Sequence, residues 1–190
     1  MASIPTIPAD TSVEKLLSEI MPSVAKDQLA NSNAATDLAG TEITMVVDVS
    51  GDQYGYTLKN GANVEFKKGD IDNPKLRLKV SKEDMEKMIK TQNLDMILGI
   101  QNDLNKAKYN ALNSLKGSFV AEITNDDGSV MKLQAILNGA IDPSSVFKMS
   151  AKDTSALMRK ETNPVNLFMS GAMKIEGDMA FAMGTQPLFS

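Results

Sequence analysis

The chain has 190 residues, 42% of them apolar, a formal net charge of −4, and no His, Cys or Trp. That length suits one domain or two small ones with a sizeable core, and an acidic balance with pI ≈ 4.9 argues against a nucleic-acid partner, which takes a basic patch. The missing residue types exclude disulfides, a thiolate nucleophile, a zinc–thiolate site and a Ser-His-Asp triad, leaving Ser-Lys variants and carboxylate pairs as catalytic options.

The opening MASIPTIPADTSVEK lacks the basic and apolar regions of a signal peptide. Met-Ala in place of Met-Gly excludes myristoylation, and no apolar run approaches the ~18–20 residues of a membrane span. These features predict a soluble cytoplasmic protein with at most transient membrane contact. Residues 1–11 hold Pro5 and Pro8 without periodicity and predict a flexible arm. Thr11 with Glu14 forms a capping-box pattern, and Val13, Leu16, Leu17, Ile20 and Met21 follow one helical face. Pro22 predicts a kink or interruption, and NSNAATDLAG (31–40) a loop.

From Ile43 the period becomes two. ITMVVDV, QYGYTLK, NVEF and KLRLKV predict four strands, with Asn60-Gly61 as a hairpin turn between the second and third. Ser81 with Asp84 caps a helix through Met85, Met88 and Ile89. Leu94, Ile97, Leu104, Ala111 and Leu115 predict a long helix over about 94–115, weakened at Gly99 and stopped at Gly117. SFVAEIT and VMKLQAIL form a hairpin about NDDG, VFKM a further strand, and Ser150 with Asp153 caps another helix.

An internal echo links 73–90 with 142–159. Pro74 matches Pro143, Leu78 Phe147, Lys79 Lys148, Val80 Met149, Ser81 Ser150, Asp84 Asp153, Met88 Leu157, Ile89 Met158 and Lys90 Arg159. Two ordinary strand-to-helix junctions would share the cap. Proline, alternation and cap in one register point instead to a structural duplication. Its units are a first, incomplete one (12–92) and a second (93–190), packed as one compact body. Only the second continues into NPVNLFMSGAMKIEGDMAFAM.

That continuation resembles the sterol carrier protein type 2 family. The residues that carry the likeness are Ser150, Asp153, Leu157, Asn163, Pro164, Leu167, Phe168, Ser170, Gly171, Met173, Lys174, Ile175, Gly177, Asp178, Met179, Ala182 and Met183. With the preceding hairpin the match covers roughly 117–184, and a weaker version covers 12–92. The resemblance implies an α+β fold, a mixed or antiparallel β-sheet covered by helices and enclosing an apolar cavity. It further implies non-covalent binding of an apolar lipid such as a fatty acid, fatty acyl-CoA or sterol, with no cofactor and no catalysis. Two features depart from the family. The chain holds nearly two units where a member usually has one, and it ends in QPLFS rather than the Ser-Lys-Leu-like tripeptide of peroxisomal members.

Thirteen methionines against six Phe, three Tyr and no Trp favour a deformable interior. The expected cavity lining is Leu157, Met158, Phe168, Met169, Met173, Ile175, Met179, Phe181 and Met183, with Met85, Met88 and Ile89 from the first unit. Each also fits an ordinary core. Lys174 fits a tunnel mouth or a solvated sheet face. No phosphate-binding glycine loop occurs, NDDGS (125–129) lacks calcium-loop spacing, and Asp70-Asp72 and Asp126-Asp127 lie in predicted turns. The competing expectation is a structural or protein-interaction module whose cavity has closed, with the 94–115 helix filling the tunnel or pairing two chains.

Overall fold

The computed structural model describes residues 5–99 and 103–189. Residues 13–30 are helical in three contiguous pieces: α1 (Val13–Lys15), a π-helix (Leu16–Ile20) and α2 (Met21–Ala30). Ser12 rather than Thr11 provides the cap, its Oγ accepting from the Lys15 N–H at 3.1 Å. Pro22 does not break the run. It stands in the first turn of α2, and the turn before it widens so that the Met21 N–H reaches the Leu16 carbonyl. A wider turn is one way a helix passes a residue that has no N–H to donate. Within the expected loop at 31–40 lies one short helix, α3 (Ala34–Asp37).

Four strands follow where alternation places them: β1 (Glu42–Val49), β2 (Asp52–Lys59), β3 (Asn63–Lys68) and β4 (Leu76–Val80). Asn60 and Gly61 both take positive φ, 56° and 61°, in the turn that the Ala62 N–H closes on the Lys59 carbonyl at 3.1 Å. That is the hairpin turn whose twist matches its flanking strands. Next comes α4 (Lys82–Thr91), capped by Ser81, which buries Met85, Met88 and Ile89.

The continuous helix expected over 94–115 is not formed. Two helices stand there, α5 (Asp95–Leu98) and α6 (Lys106–Ser114), and residues 100–102 lie outside the described ones. Gly99 ends the first. Asn105 starts the second by accepting the Lys108 N–H on its side-chain oxygen at 3.0 Å, a local bond that competes with a continuing helix. The chain then forms β5 (Gly117–Thr124), β6 (Val130–Leu137), β7 (Ser144–Ser150), α7 (Ala151–Met158), α8 (Pro164–Met169), β8 (Lys174–Gly177), α9 (Met179–Gly184) and a 3-10 helix (Gln186–Phe189).

All eight strands belong to one sheet, ordered β3-β2-β1-β4-β6-β5-β7-β8. In each half the first strand of a hairpin receives a later strand in parallel on its free side: β4 beside β1, and β7 beside β5. The halves meet head to tail where β4 pairs antiparallel with β6. Each parallel strand runs into a helix capped the same way, Ser81 Oγ accepting from Asp84 N–H and Ser150 Oγ from Asp153 N–H, both at 3.0 Å. The result is an α+β architecture with a mixed sheet.

Register gives the sheet one apolar face. Tyr54, Val47, Leu78, Ala135 and Phe119 form a single rung across five strands, and Leu133, Ala121, Phe147 and Ile175 form another. The opposite face carries ion pairs, Arg77–Asp70 at 2.9 Å, Lys132–Glu122 at 3.5 Å and Lys148–Glu176 at 2.7 Å. The helices cover the apolar face and join it in one core. Each large apolar side chain buried there contributes about 1.5–3 kcal/mol.

Candidate functional site

The helices do not fill the apolar face everywhere. Over β5, β7 and β8 they leave a pocket of ≈ 230 Å³. Its floor is Phe119 and Ala121 of β5, Phe147 and Met149 of β7, and Ile175 of β8. Met96 of α5 and Leu157 of α7 form one wall. Val165, Phe168 and Met169 of α8 and Met183 of α9 line it and are also exposed, so its mouth lies there, and Ala182 and Phe189 add to the lining.

Three caps fix the surrounding helices. Ser150 starts α7, Asn163 starts α8 by accepting the Asn166 N–H at 2.8 Å, and Asp178 starts α9 by accepting the Phe181 N–H at 2.7 Å. Such caps contribute about 1 kcal/mol each and fix where a helix begins. Pro164 in the first turn of α8 suits the position, since that N–H has no intrahelical partner. The Met173 N–H bonds to the Leu167 carbonyl at 2.9 Å, folding the chain back so that Met173 enters the wall.

Among the described residues no charged one lines this pocket, and its polar lining consists of Thr185 and Gln186. The Thr185 hydroxyl donates to the Ala182 carbonyl at 2.7 Å, so it turns back on its own helix. Such a space suits a hydrocarbon chain. Charge lies just outside. Asp95, buried beside Met96, accepts from Ser155 Oγ and from Arg159 Nε at 3.4 Å, tying α5 to α7.

Two smaller apolar cavities continue along the same face. A central one of ≈ 50 Å³ shares Met96, Phe119 and Phe189 with the large pocket. Another of ≈ 70 Å³, between α2 and β1–β4, shares Leu76, Leu104 and Leu112 with the central one. Lys108 borders the central cavity and is 5% exposed. Burial, helped by the Lys160 charge and opposed by Asp103, lowers its ammonium pKa to about 8.

Of the residues expected to line a cavity, the structure brings six to the large pocket: Leu157, Phe168, Met169, Met173, Ile175 and Met183. Met158 borders the central cavity instead. Phe181 is buried against Gly117, and Met179 is exposed at the start of α9. Met85, Met88 and Ile89 sit in the packed core, and Ile89 also borders a polar groove between α4 and the chain before α1. Lys174 is exposed on the edge strand β8. The floor residues Phe119, Ala121, Phe147 and Met149 were not among those expected. Their i, i+2 spacing on two recognised strands was the signal that marks them.

Residues 98–190 match the SCP-2 sterol transfer family. The match contains the whole Ser150–Met183 pattern and bears out the resemblance drawn from it. Among solved structures the chain is similar to sterol carrier protein 2 of Yarrowia lipolytica in its apo form, at 17% identity and TM-score 0.35, covering 42% of this chain and 76% of that one. It is also similar to sterol carrier protein domain 2 of Helicoverpa armigera, at 21% identity and TM-score 0.38, covering 53% and 84%. Sterol carrier protein 2 like 2 of Aedes aegypti matches at 14% identity and TM-score 0.34, covering 48% and 94%. No curated protein matches the chain. The SCP-2 match begins at Leu98, so α1 to α4 and β1 to β4 lie outside it. Among the described residues no helix is long and apolar enough to cross a membrane.

Proposed function

We propose that the chain is a non-catalytic carrier that binds the apolar part of a lipid in the pocket over β5, β7 and β8. The observation that supports this best is a pocket with no charged group in its lining among the described residues, formed, apart from Met96, by the segment that matches the SCP-2 family. The ligand is a fatty acid, a fatty acyl-CoA or a sterol-like molecule, and the protein acts in the cytoplasm. Shielding from water drives binding, since each buried CH₂ is worth ~0.8 kcal/mol. Leu157, Phe168, Met169, Met173, Ile175 and Met183 form the wall, and methionine lets it reshape around chains of different form. In this reading 12–92 and 93–190 are two units of one plan, and the second carries the ligand.

Titration with a fluorescent acyl probe, with native mass spectrometry of the purified protein, tests the reading. The expected result is saturable binding, displaced by a fatty acid, with Met173→Lys weakening it at least about tenfold by placing an ammonium in the wall. A folded protein that carries no lipid and ignores the probe overturns it.

One observation favours a second reading. At ≈ 230 Å³ the pocket is smaller than the ~300–1,000 Å³ of most small-molecule sites, and in its lining Phe189 packs against Phe119 and Phe147, with ring centroids 5.7 and 6.3 Å away. A closed interaction module would look so, and the same titration separates the two.

A further inference from the structure

The helices at the pocket mouth, α8 and α9, have the sequences PVNLFM and MAFAMG and contain no charged residue. Seven large apolar side chains are exposed among the described residues, and five of them stand here: Val165, Phe168, Met169, Met179 and Met183. Met169 is 79% exposed. Four of the five, all but Met179, also line the pocket. The same side chains therefore meet water on the outside and the cavity on the inside. An exposed apolar cluster of this kind marks a place where something other than water belongs.

We propose that this lip docks on a zwitterionic lipid bilayer, with Phe168, Met169, Met179 and Met183 entering the boundary between headgroups and acyl chains. The proposal rests on the carrier reading above and adds where the ligand comes from. Charge selects the occupant. A chain of net charge −4 with an uncharged lip gains nothing from an anionic surface and is not repelled by a neutral one. Continuity selects it too. A second copy or a protein seated on Met169 and Met183 would stopper the mouth. A bilayer opens the pocket onto hydrocarbon, so a lipid tail passes between two apolar phases without crossing water.

The chain contains no Trp, so a single introduced one reports its own surroundings. Met169→Trp and Met179→Trp place it on the lip, and Lys79→Trp places it on the exposed, charged face of the sheet. With phosphatidylcholine vesicles, both lip variants should shift their emission to the blue and be quenched by brominated acyl chains. The Lys79→Trp variant should show neither change, and added salt should not reverse the effect. Three results overturn the proposal: no response at the lip, a response that needs anionic lipid and fades with salt, or a blue shift that grows with protein concentration without vesicles, which would mean a second copy. Acyl-probe titration in vesicle-free buffer keeps the two ideas apart. Probe binding with no vesicle response rejects the lip and leaves the carrier. Vesicle response with no probe binding does the reverse.

Discussion

The Phe181 ring packs onto the bare Cα of Gly117. A Cβ at Gly117 would stand 2.5 Å from Phe181 Cε2 and 2.4 Å from the Pro143 carbonyl oxygen. Gly117 also holds φ +146°, which side-chain-bearing residues rarely adopt. The first residue of β5 thus seats both the strand beside it and α9 above it. Gly117→Ala should destabilise the protein by about 1–3 kcal/mol, the usual range for overpacking, measured by urea denaturation. Adding Phe181→Ala should recover little of this, because the Pro143 carbonyl stays in the way. Full recovery would mean that the ring alone sets the constraint.

The two matched caps make a second prediction. Ser81→Ala and Ser150→Ala each remove an oxygen that accepts a first-turn N–H at 3.0 Å. Each should cost roughly 0.5–2 kcal/mol, and the two costs should be similar and additive, since the caps start different helices. Ser150 Oγ also bonds to Asp153 Oδ2 at 2.7 Å, so any difference should make Ser150→Ala the more costly. Thermal or urea unfolding of the two single variants and the double one checks this.

Lys108 makes the third. Its pKa falls from the ordinary 10.5 of a lysine to about 8 because burial penalises the ammonium. In the folded state it therefore gives up its proton at lower pH than in the unfolded chain. Between about pH 8 and 10 the unfolded chain binds more protons, so stability from this group rises with pH. The burial cost is present in full below pH 8 and is relieved above it. Burial pushes the Tyr54 and Tyr56 hydroxyls upward, which lowers stability only above about pH 10 and leaves the window clear. Lys108→Met should be more stable than wild type near pH 7, with the gap narrowing as pH rises to 10. A pH-independent gap in urea midpoints would refute the assignment.

Much of this architecture is written locally. The strands β1 to β7 stand where residues alternate, because each has one face in the core, and Ser81 and Ser150 start helices where their spacing to Asp84 and Asp153 says they should. The single sheet is not local. Nothing in KLRLKV says that Leu76 will lie opposite Leu137, 61 residues away in a different hairpin. The helix expected over 94–115 fails because its apolar spacing is real but Gly99 and Asn105 interrupt it, and a short-range side-chain bond outweighs periodicity there.

The pocket divides the same way. Its floor could be read from strand alternation, and Leu157 and Met173 from the SCP-2 pattern. Which methionines of the last segment face inward could not. Met173 is 3% exposed and Met179 44%, though both sit among glycines and apolar neighbours. The difference arises because Asp178 starts a helix, α9, whose first residue, Met179, stays exposed, whereas Met173 is folded back by its N–H bond to the Leu167 carbonyl. Phe189 carries no periodic signal, yet it borders two cavities, because the 3-10 helix folds the chain back over β5.

The head-to-tail strand order bears on where the sheet can stop. Two repeats of one strand pattern, joined β4 to β6, would leave each outer rim as open to a further copy as the inner joint was. Here the rims are occupied by β3 and β8, the strands that have no counterpart in the other half. One presents Lys67 and Lys68, and the other is only four residues long, ending at Gly177 where φ is +89°. Short, charged or bent rims resist further pairing. The parts that break the symmetry of the chain are therefore also its terminators, and they hold the array at eight strands.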